Sequence, residues 1–205
     1  MRKADDKRAL WRDIRELKRD RILQEAAVLI YERGYSQTSV EAIAERLGAT
    51  KPFVYYHFDT KIDILVEICR SGTSDALVSV GKSAEAETDP AIALRKFVRA
   101  FCEAALRNHR FVAIYYREEA SLPADVALEI QGMRRQIERR LCDMLARGKE
   151  AGIFDFQDLR LTARTILGMA SFAFAWYRHD REAELFRIVD QMEQLALKVV
   201  ALPCR

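Results

Sequence analysis

The stretch SVEAIAERLGATKPFVYYHFDTK, residues 39–61, decides the fold, because it has the pattern of two short helices joined by a tight turn. The first helix has a buried face whose apolar residues recur at helical spacing: Val40, Ile43, Ala44 and Leu47. Gly48 follows directly, where helices commonly end in a left-handed residue. Thr50 can cap the second helix, and Pro52 falls in its first turn, where a missing N–H is tolerated.

The second of these helices, about Lys51 to His57, is rich in basic and aromatic side chains. Two helices joined by a short turn with glycine form a helix-turn-helix, whose second helix enters a DNA groove. Lysines neutralise phosphates, hydroxyl groups donate hydrogen bonds to them, and apolar side chains contact thymine methyl groups. The predicted DNA-binding residues are Ser39, Thr50, Lys51, Pro52, Phe53, Tyr55, Tyr56, His57 and Lys61. Val54 and Phe58 are predicted to pack inside instead.

The same residues resemble the DNA-binding domain of the TetR family of bacterial transcriptional repressors. The shared motif consists of Ile43-Ala44, Leu47-Gly48, Thr50-Lys51, Val54-Tyr55-Tyr56-His57-Phe58 and Lys61. The similarity extends back through Tyr35 to about Arg19, and so covers about the first third of the chain. The family often has glycine where this chain has Pro52, which bears on how closely the second helix approaches DNA. The resemblance implies a repressor that binds palindromic DNA as a homodimer and senses a small molecule.

Composition sets the wider limits. The 205 residues suffice for one large or two small domains, and four prolines and eight glycines leave few helix breakers. A net charge of +3 excludes the class of highly basic proteins that coat nucleic acids, so affinity for DNA requires a local basic patch. The chain contains no run of about 20 apolar residues, and we expect a soluble, cytoplasmic protein with no membrane partner.

No pattern of an enzyme or metal protein is present. The sequence lacks a glycine-rich phosphate loop and an H-E-x-x-H motif, and its three histidines have no metal-ligand spacing. The four cysteines are Cys69, Cys102, Cys142 and Cys204. They show no C-x-x-C pairing, and three of them lie in apolar helical contexts, which favours buried free thiols. We therefore expect no catalytic residue, no metal and no cofactor.

The apolar pattern predicts an all-α chain of two parts. Residues 1–17 form a basic arm, which is either a frayed, solvated extension or a contact with the DNA backbone or minor groove. A membrane-surface helix is a less favoured alternative, because acidic residues dilute the positive charge of the arm. Residues 18–64 form a three-helix DNA-binding domain, whose first helix runs from about Lys18 to Arg33. Residues 65–205 form a helical ligand-binding and dimerisation domain, because apolar stripes of period 3.6 follow one another there.

Two interpretations remain open for the aromatic residues of the second domain. They form either an ordinary core or the wall of an apolar ligand cavity with a few polar groups. The predicted ligand-binding residues are Phe97, Phe101, Tyr115, Tyr116, Arg117, Phe172 and Trp176. The segment from Tyr116 to Pro123, with Trp176-Tyr177-Arg178, loosely resembles regulators of fatty-acid, sterol or aromatic catabolism, which implies an acyl-CoA or aromatic effector. Four arginines between 134 and 140 fit a solvated helix face better than a phosphate site.

The last two helices carry more apolar surface than one subunit needs. Small residues on one and a broad apolar stripe on the other favour a two-fold four-helix interface. The predicted interface residues are Gly168, Ser171, Leu185, Ile188, Met192 and Leu195. The alternative is that both helices are buried within one subunit.

The sequence thus predicts a ligand-responsive repressor that binds palindromic operator DNA as a homodimer. One alternative is a helical small-molecule-binding protein or enzyme whose helix-turn-helix no longer reads DNA. Another is an activator or an architectural DNA-binding protein.

Overall fold

The computed structural model describes residues 2–84, 87–177 and 182–201, and in these ranges it contains α-helices and two short 3-10 helices but no strand. The predicted all-α fold is confirmed. The chain divides into two compact units, residues 1–68 with 114–122 and residues 69–113 with 123–205. Neither unit is one continuous segment, and the domain boundary at residue 64/65 stays a prediction.

The first unit contains α1 (Arg2–Arg33), α2 (Val40–Arg46) and α3 (Lys51–His57), with the start of α4 (Lys61–Ala84). Its apolar core includes Ile22, Ile30, Ile43, Val54 and Ile64, each at most 1 % exposed.

The turn between α2 and α3 is closed as its sequence predicts. Gly48 has φ +64°, the left-handed conformation that other residues rarely adopt. Its N–H donates to Glu45 O at 3.0 Å, and the N–H of Ala49 donates to Ala44 O at 2.9 Å. These two bonds form a Schellman motif and satisfy carbonyls at the end of α2.

The second unit is built around α5 (Pro90–Arg107), which packs against α7 (Ala124–Glu150), α8 (Leu159–Ser171) and α9 (Glu182–Val199). Helix α6 (His109–Glu118) begins in this unit and ends in the first. Two 3-10 helices cover Glu119–Ser121 and Phe172–Ala175. Asp89 caps α5 by accepting from the N–H groups of Ala91 and Ile92 at 2.8 and 3.2 Å.

Two helix bounds differ from the prediction. Helix α1 is continuous from Arg2 to Arg33, whereas the apolar pattern predicts a family helix from about Lys18. Helix α8 ends at Ser171, whereas the pattern predicts a helix to about Asp180, a residue outside the described ranges. The tighter 3-10 winding after Ser171 keeps Ala173 and Tyr177 buried.

The described cysteines are free thiols. Cys69 and Cys102 are buried, Cys142 is half-buried, and Cys204 lies outside the described residues, as do Arg178 and His179. Burial raises the pKa of the Cys102 thiol to about 12, so it stays protonated. No helix in the described part of the chain is both long and apolar enough to span a membrane.

Candidate nucleic-acid interface

Helix α3, the recognition helix, is positioned by short-range capping and by its apolar face. Ser39 is the N-cap of α2, where its Oγ accepts from the N–H of Ala42 at 3.1 Å. Thr50 occupies the N-cap position of α3, but its side chain makes no capping hydrogen bond. Val54 and Phe58 are 0 % and 3 % exposed, which confirms that they pack inside.

The opposite face of α3 is open to solvent. Thr50, Lys51, Pro52 and Tyr55 are exposed, Phe53 is half-buried, and Tyr56 is 70 % exposed. A tyrosine exposed to this extent offers both an apolar ring and a hydroxyl group to a partner. The face therefore presents hydroxyl groups, one lysine and apolar side chains together, as the sequence predicts.

His57 departs from that face. Its side chain is buried, with its ring 5.2 Å from the ring of Phe53 and 5.1 Å from that of Tyr56, both in edge-on geometry. Both ring nitrogens are buried and have no hydrogen-bond partner among the residues that the structure describes. Burial lowers the pKa of His57, and the charges of Arg15, Lys18 and Arg19 lower it further. The imidazole is thus a neutral packing group here, and not a donor facing outward.

Arg19 holds the end of the recognition helix, a role that the sequence pattern did not indicate. Its Nη1 donates to the main-chain oxygen of His57 at 2.9 Å, and its Nη2 pairs with Glu67 Oε2 at 3.0 Å. The guanidinium also lies 4.2 Å from the centre of the Phe58 ring. Arg19 thereby joins α1, α3 and α4.

The two predicted phosphate-binding lysines are held differently. Lys51 forms an ion pair with Glu41 of α2, and this hydrogen bond raises the pKa of Lys51 and lowers that of Glu41. The ammonium of Lys61 lies 4.2 Å from the centre of the Tyr35 ring, where the cation is attracted to the aromatic face. Glu41 is a further residue of the site that sequence reasoning missed, although its position beside Lys51 follows from the turn.

The predicted ligand-binding residues in the second unit fall into two groups. Phe97 and Phe101 are in the core, with stacked rings whose centres are 6.3 Å apart. Phe172 and Trp176 are 61 % and 52 % exposed. These four residues therefore do not line one common apolar wall in this structure, because the 3-10 winding turns the latter two outward.

The remaining predicted ligand residues lie in the first unit. Tyr115 is buried and its hydroxyl donates to Glu119 Oε1 at 2.7 Å, whereas Tyr116 is 41 % exposed. Arg117 donates from Nη2 to Ile30 O at 2.5 Å and from Nη1 to Tyr31 O at 3.2 Å. Its guanidinium thus caps the C-terminal end of α1, where a cation is favourable.

The predicted dimer residues also separate into two groups. Leu185, Ile188 and Met192 are buried in the core of their own subunit, so they are not available to a partner. Leu195 is 40 % exposed, Ser171 is half-buried, and no atom lies within 4 Å of a Cβ built on Gly168. Further exposed apolar residues on these elements were not among the predicted interface residues: Leu161, Phe172, Trp176, Phe186 and Val199.

The arginines of α7 border a shallow, open groove of about 460 Å³ that also contains Asp143. Arg135 and Arg139 are exposed, and the neighbouring Glu138 accepts from Arg164 of α8 at 3.0 Å. Charges of both signs alternate on this surface, in agreement with a solvated helix face.

Comparisons with known proteins identify both parts of the chain. Residues 22–68 match the model of the bacterial regulatory proteins of the tetR family, and residues 87–200 match a tetracyclin repressor-like C-terminal domain. The HTH-type transcriptional repressor KstR2 of Rhodococcus jostii (strain RHA1) is 27% identical over 188 residues, covering 91% of this chain and 92% of that protein.

Two solved structures extend the comparison. The TetR family transcriptional regulator PfmR of Thermus thermophilus has a TM-score of 0.79 at 32% identity, covering 86% of this chain and 97% of PfmR. AibR, solved in complex with isovaleryl coenzyme A and operator DNA, has a TM-score of 0.74 at 25% identity, covering 87% of this chain and 97% of AibR.

Proposed function

Since this chain belongs to the TetR family of bacterial transcriptional regulators, we propose that it is a repressor that binds palindromic operator DNA as a homodimer and is released by a small effector. The observation that carries the proposal is the exposed face of α3. On one side of α3 five residues are exposed to solvent, counting its N-cap residue and including Lys51 and Tyr56. On the other side Val54 packs in the core.

The contacts with DNA divide by chemistry. Thr50, Lys51, Pro52 and Phe53 at the start of α3 read base edges and thymine methyl groups in the major groove. Tyr55, Tyr56 and Lys61 bind phosphates and position the helix. His57 acts beneath them as a packing group, since its ring is buried.

The dimer forms through the exposed apolar residues of α8, the following 3-10 helix and α9. Gly168 leaves room for close approach of a partner helix, and Leu195 and Val199 supply apolar surface. A two-fold dimer would place the two recognition helices about 34–36 Å apart, the spacing of successive major grooves.

The effector is a small, mostly apolar molecule of the acyl-CoA or aromatic class. Support comes from the similar protein AibR, which has been solved with isovaleryl coenzyme A and operator DNA. An effector would act by its differential affinity for the DNA-bound and free states. The stacked Phe97 and Phe101 of α5 would have to separate to admit it, because they now fill the core.

The test is selection of duplexes from a random library, followed by fluorescence anisotropy with the recovered operator. We expect a palindromic site bound at least about 1,000-fold more tightly than an unrelated duplex of equal length. Lys61→Gln should weaken both complexes about equally, whereas Phe53→Ala should also change the selected sequence. Recovery of no preferred sequence would favour the small-molecule-binding alternative.

Two further measurements complete the test. Addition of acyl-CoA thioesters or aromatic acids to the complex should release DNA and raise the melting temperature of the free protein. Transcription in vitro from a template carrying the operator separates repression from the alternative of activation, because the two change transcript yield in opposite directions.

A further inference from the structure

A groove of about 970 Å³ lies beside the recognition helix, on the side of the first helix of the chain. One wall is α1 and the other is α3, and the lining residues are Trp11, Arg12, Ile14, Arg15, Lys18, Phe53, Tyr56 and His57. The α1 part of this wall precedes residue 22, where the match to the family's N-terminal model begins. That wall of the groove therefore lies outside the part of the chain that matches the family's N-terminal model.

The charges of α1 are segregated about this groove. At about 100° per residue, Arg15 and Lys18 fall roughly 60° apart on the helix, and Arg12 lies about 60° beyond Arg15, at the edge of this basic face. Asp13, Glu16 and Asp20 fall in a sector of similar width, centred about 160° away. The lining of the groove agrees, since it includes the basic residues and none of these three acids.

The cations on this wall are held by aromatic rings of α3. The guanidinium of Arg15 lies 5.8 Å from the centre of the Tyr56 ring, and the ammonium of Lys18 lies 5.9 Å from that of Phe53. Neither Arg15 nor Lys18 forms a salt bridge with a carboxylate among the described residues. They differ in this from Arg19, which pairs with Glu67, and from Lys51, which pairs with Glu41.

We infer that the face formed by Arg12, Arg15 and Lys18 is a second DNA-binding element, which contacts backbone phosphates beside the groove read by α3. This inference rests on the proposed binding of DNA and extends it to residues outside the family's domain. Cations without carboxylate partners gain most from phosphates, because no existing ion pair must break first. Contacts of this kind add affinity and carry no sequence information.

The structure also explains how the element keeps its place. Helix α1 is unbroken from Arg2 to Arg33, and Arg19, one turn beyond Arg15, is bonded to both α3 and α4. The helical stretch before Lys18 is about 24 Å long at about 1.5 Å per residue, enough to follow about seven base-pair steps. The basic face therefore moves with the recognition helix as one body.

The experiment measures the salt dependence of binding for the double variant Arg15→Gln/Lys18→Gln and for the control Asp13→Asn/Glu16→Gln on the opposite face. The probes are the selected operator duplex and an unrelated duplex of equal length, both extended by flanking base pairs on each side. Loss of two phosphate contacts in each subunit, four in the dimer, should reduce the steepness of the slope of log K against log salt by about 3.6, which is about 4,000-fold in affinity at about 0.1 M salt. Both duplexes should be affected equally, and Arg15→Lys should retain most of the slope.

Three results would overturn the inference. One is an unchanged slope for the double variant. Another is an equal and opposite change in the acid control, which would assign the effect to net charge alone. The third is that the double variant weakens binding to the operator duplex only, because phosphate contacts carry no sequence information. Failure of the proposed function gives a different result, because the wild type would then bind both duplexes with equal affinity. The salt slopes on the unrelated duplex would still test the phosphate contacts.

Discussion

The guanidinium of Arg19 donates a 2.9 Å hydrogen bond to the main-chain oxygen of His57, the last residue of the recognition helix. The carbonyls at a helix end lack partners within the helix, so a side chain from another element fixes both the end and its direction. The orientation of α3 is thus set from α1, 38 residues earlier in the chain.

Replacing Arg19 by Met should therefore loosen α3. The variant keeps the apolar stem but loses the bonds to His57 and Glu67, and we expect a decrease of about 1–2 kcal/mol in the free energy of unfolding. Urea denaturation measures it. Arg21→Met is the matched control, since Arg21 is largely exposed and pairs with Glu25, one turn later on the same helix. Equal losses in the two variants would contradict the role of Arg19.

Replacing Glu41 by Gln should strengthen binding to DNA. In the free protein Glu41 pairs with Lys51, so a phosphate must compete with this carboxylate for the ammonium. We expect the affinity for operator and unrelated DNA to rise by up to about fivefold, with the larger rise at low salt. Glu45→Gln removes the same charge from the same helix without touching Lys51. If both variants bind alike, the pair has no influence on DNA binding.

The sequence could predict the features that depend on local pattern, but not those that depend on tertiary packing. The bounds of α2 and α3 and the left-handed Gly48 follow from residues within one turn of each other, and the sequence predicted them correctly. The burial of His57 depends on α1 and on the rings of Phe53 and Tyr56, and no local sequence pattern indicates these contacts.

The apolar stripe of α9 shows the same limit. Its period identifies a helix with a buried face, but Leu185 and Met192 meet their own subunit while Leu195 faces outward. A sequence pattern gives the width of an apolar face and does not say which molecule covers it. The proposed dimer surface consequently includes exposed residues that the pattern did not assign to it, such as Leu161 and Trp176, the latter predicted as a ligand-binding residue.

A bulky charge at Gly168 should break the dimer and leave the subunit folded. No atom lies within 4 Å of a Cβ at this exposed helical position, so Gly168→Arg costs the free subunit nothing and improves helix propensity. We expect sedimentation of a monomer at micromolar concentration with unchanged helical content. Affinity for the palindromic operator should fall by about 100-fold or more, because the two half-sites are no longer held together.

The contrast between two residues of α9 tests the same surface. Leu195→Glu should give a folded monomer, whereas Met192→Glu should unfold the subunit, since Met192 is 6 % exposed and packs against Cys102. Circular dichroism and sedimentation distinguish these outcomes. A dimer retained in both Gly168→Arg and Leu195→Glu would place the interface elsewhere.

Acidification should destabilise the protein through His57. Burial and three nearby cations lower its pKa in the folded state below the ordinary value of 6.5, so the unfolded chain binds more protons. The contribution of neutral His57 to the free energy of unfolding is fully present above pH 6.5. It declines as the pH falls below 6.5, by at most about 1.4 kcal/mol per pH unit. His57→Phe keeps an aromatic ring in the site and should remove this part of the slope. Parallel pH profiles of the two proteins would show that His57 does not titrate as described.

The chain contains two tryptophans, and each lies on a different candidate surface. Trp11 borders the groove beside the recognition helix, and Trp176 lies on the exposed apolar surface next to α8, with both side chains more than half exposed. Intrinsic tryptophan fluorescence can therefore report on each of the two surfaces separately, without an added label. In a Trp176→Phe protein the emission follows events at the DNA-facing groove, and in a Trp11→Phe protein it follows subunit association, so one spectrometer can time the two events independently.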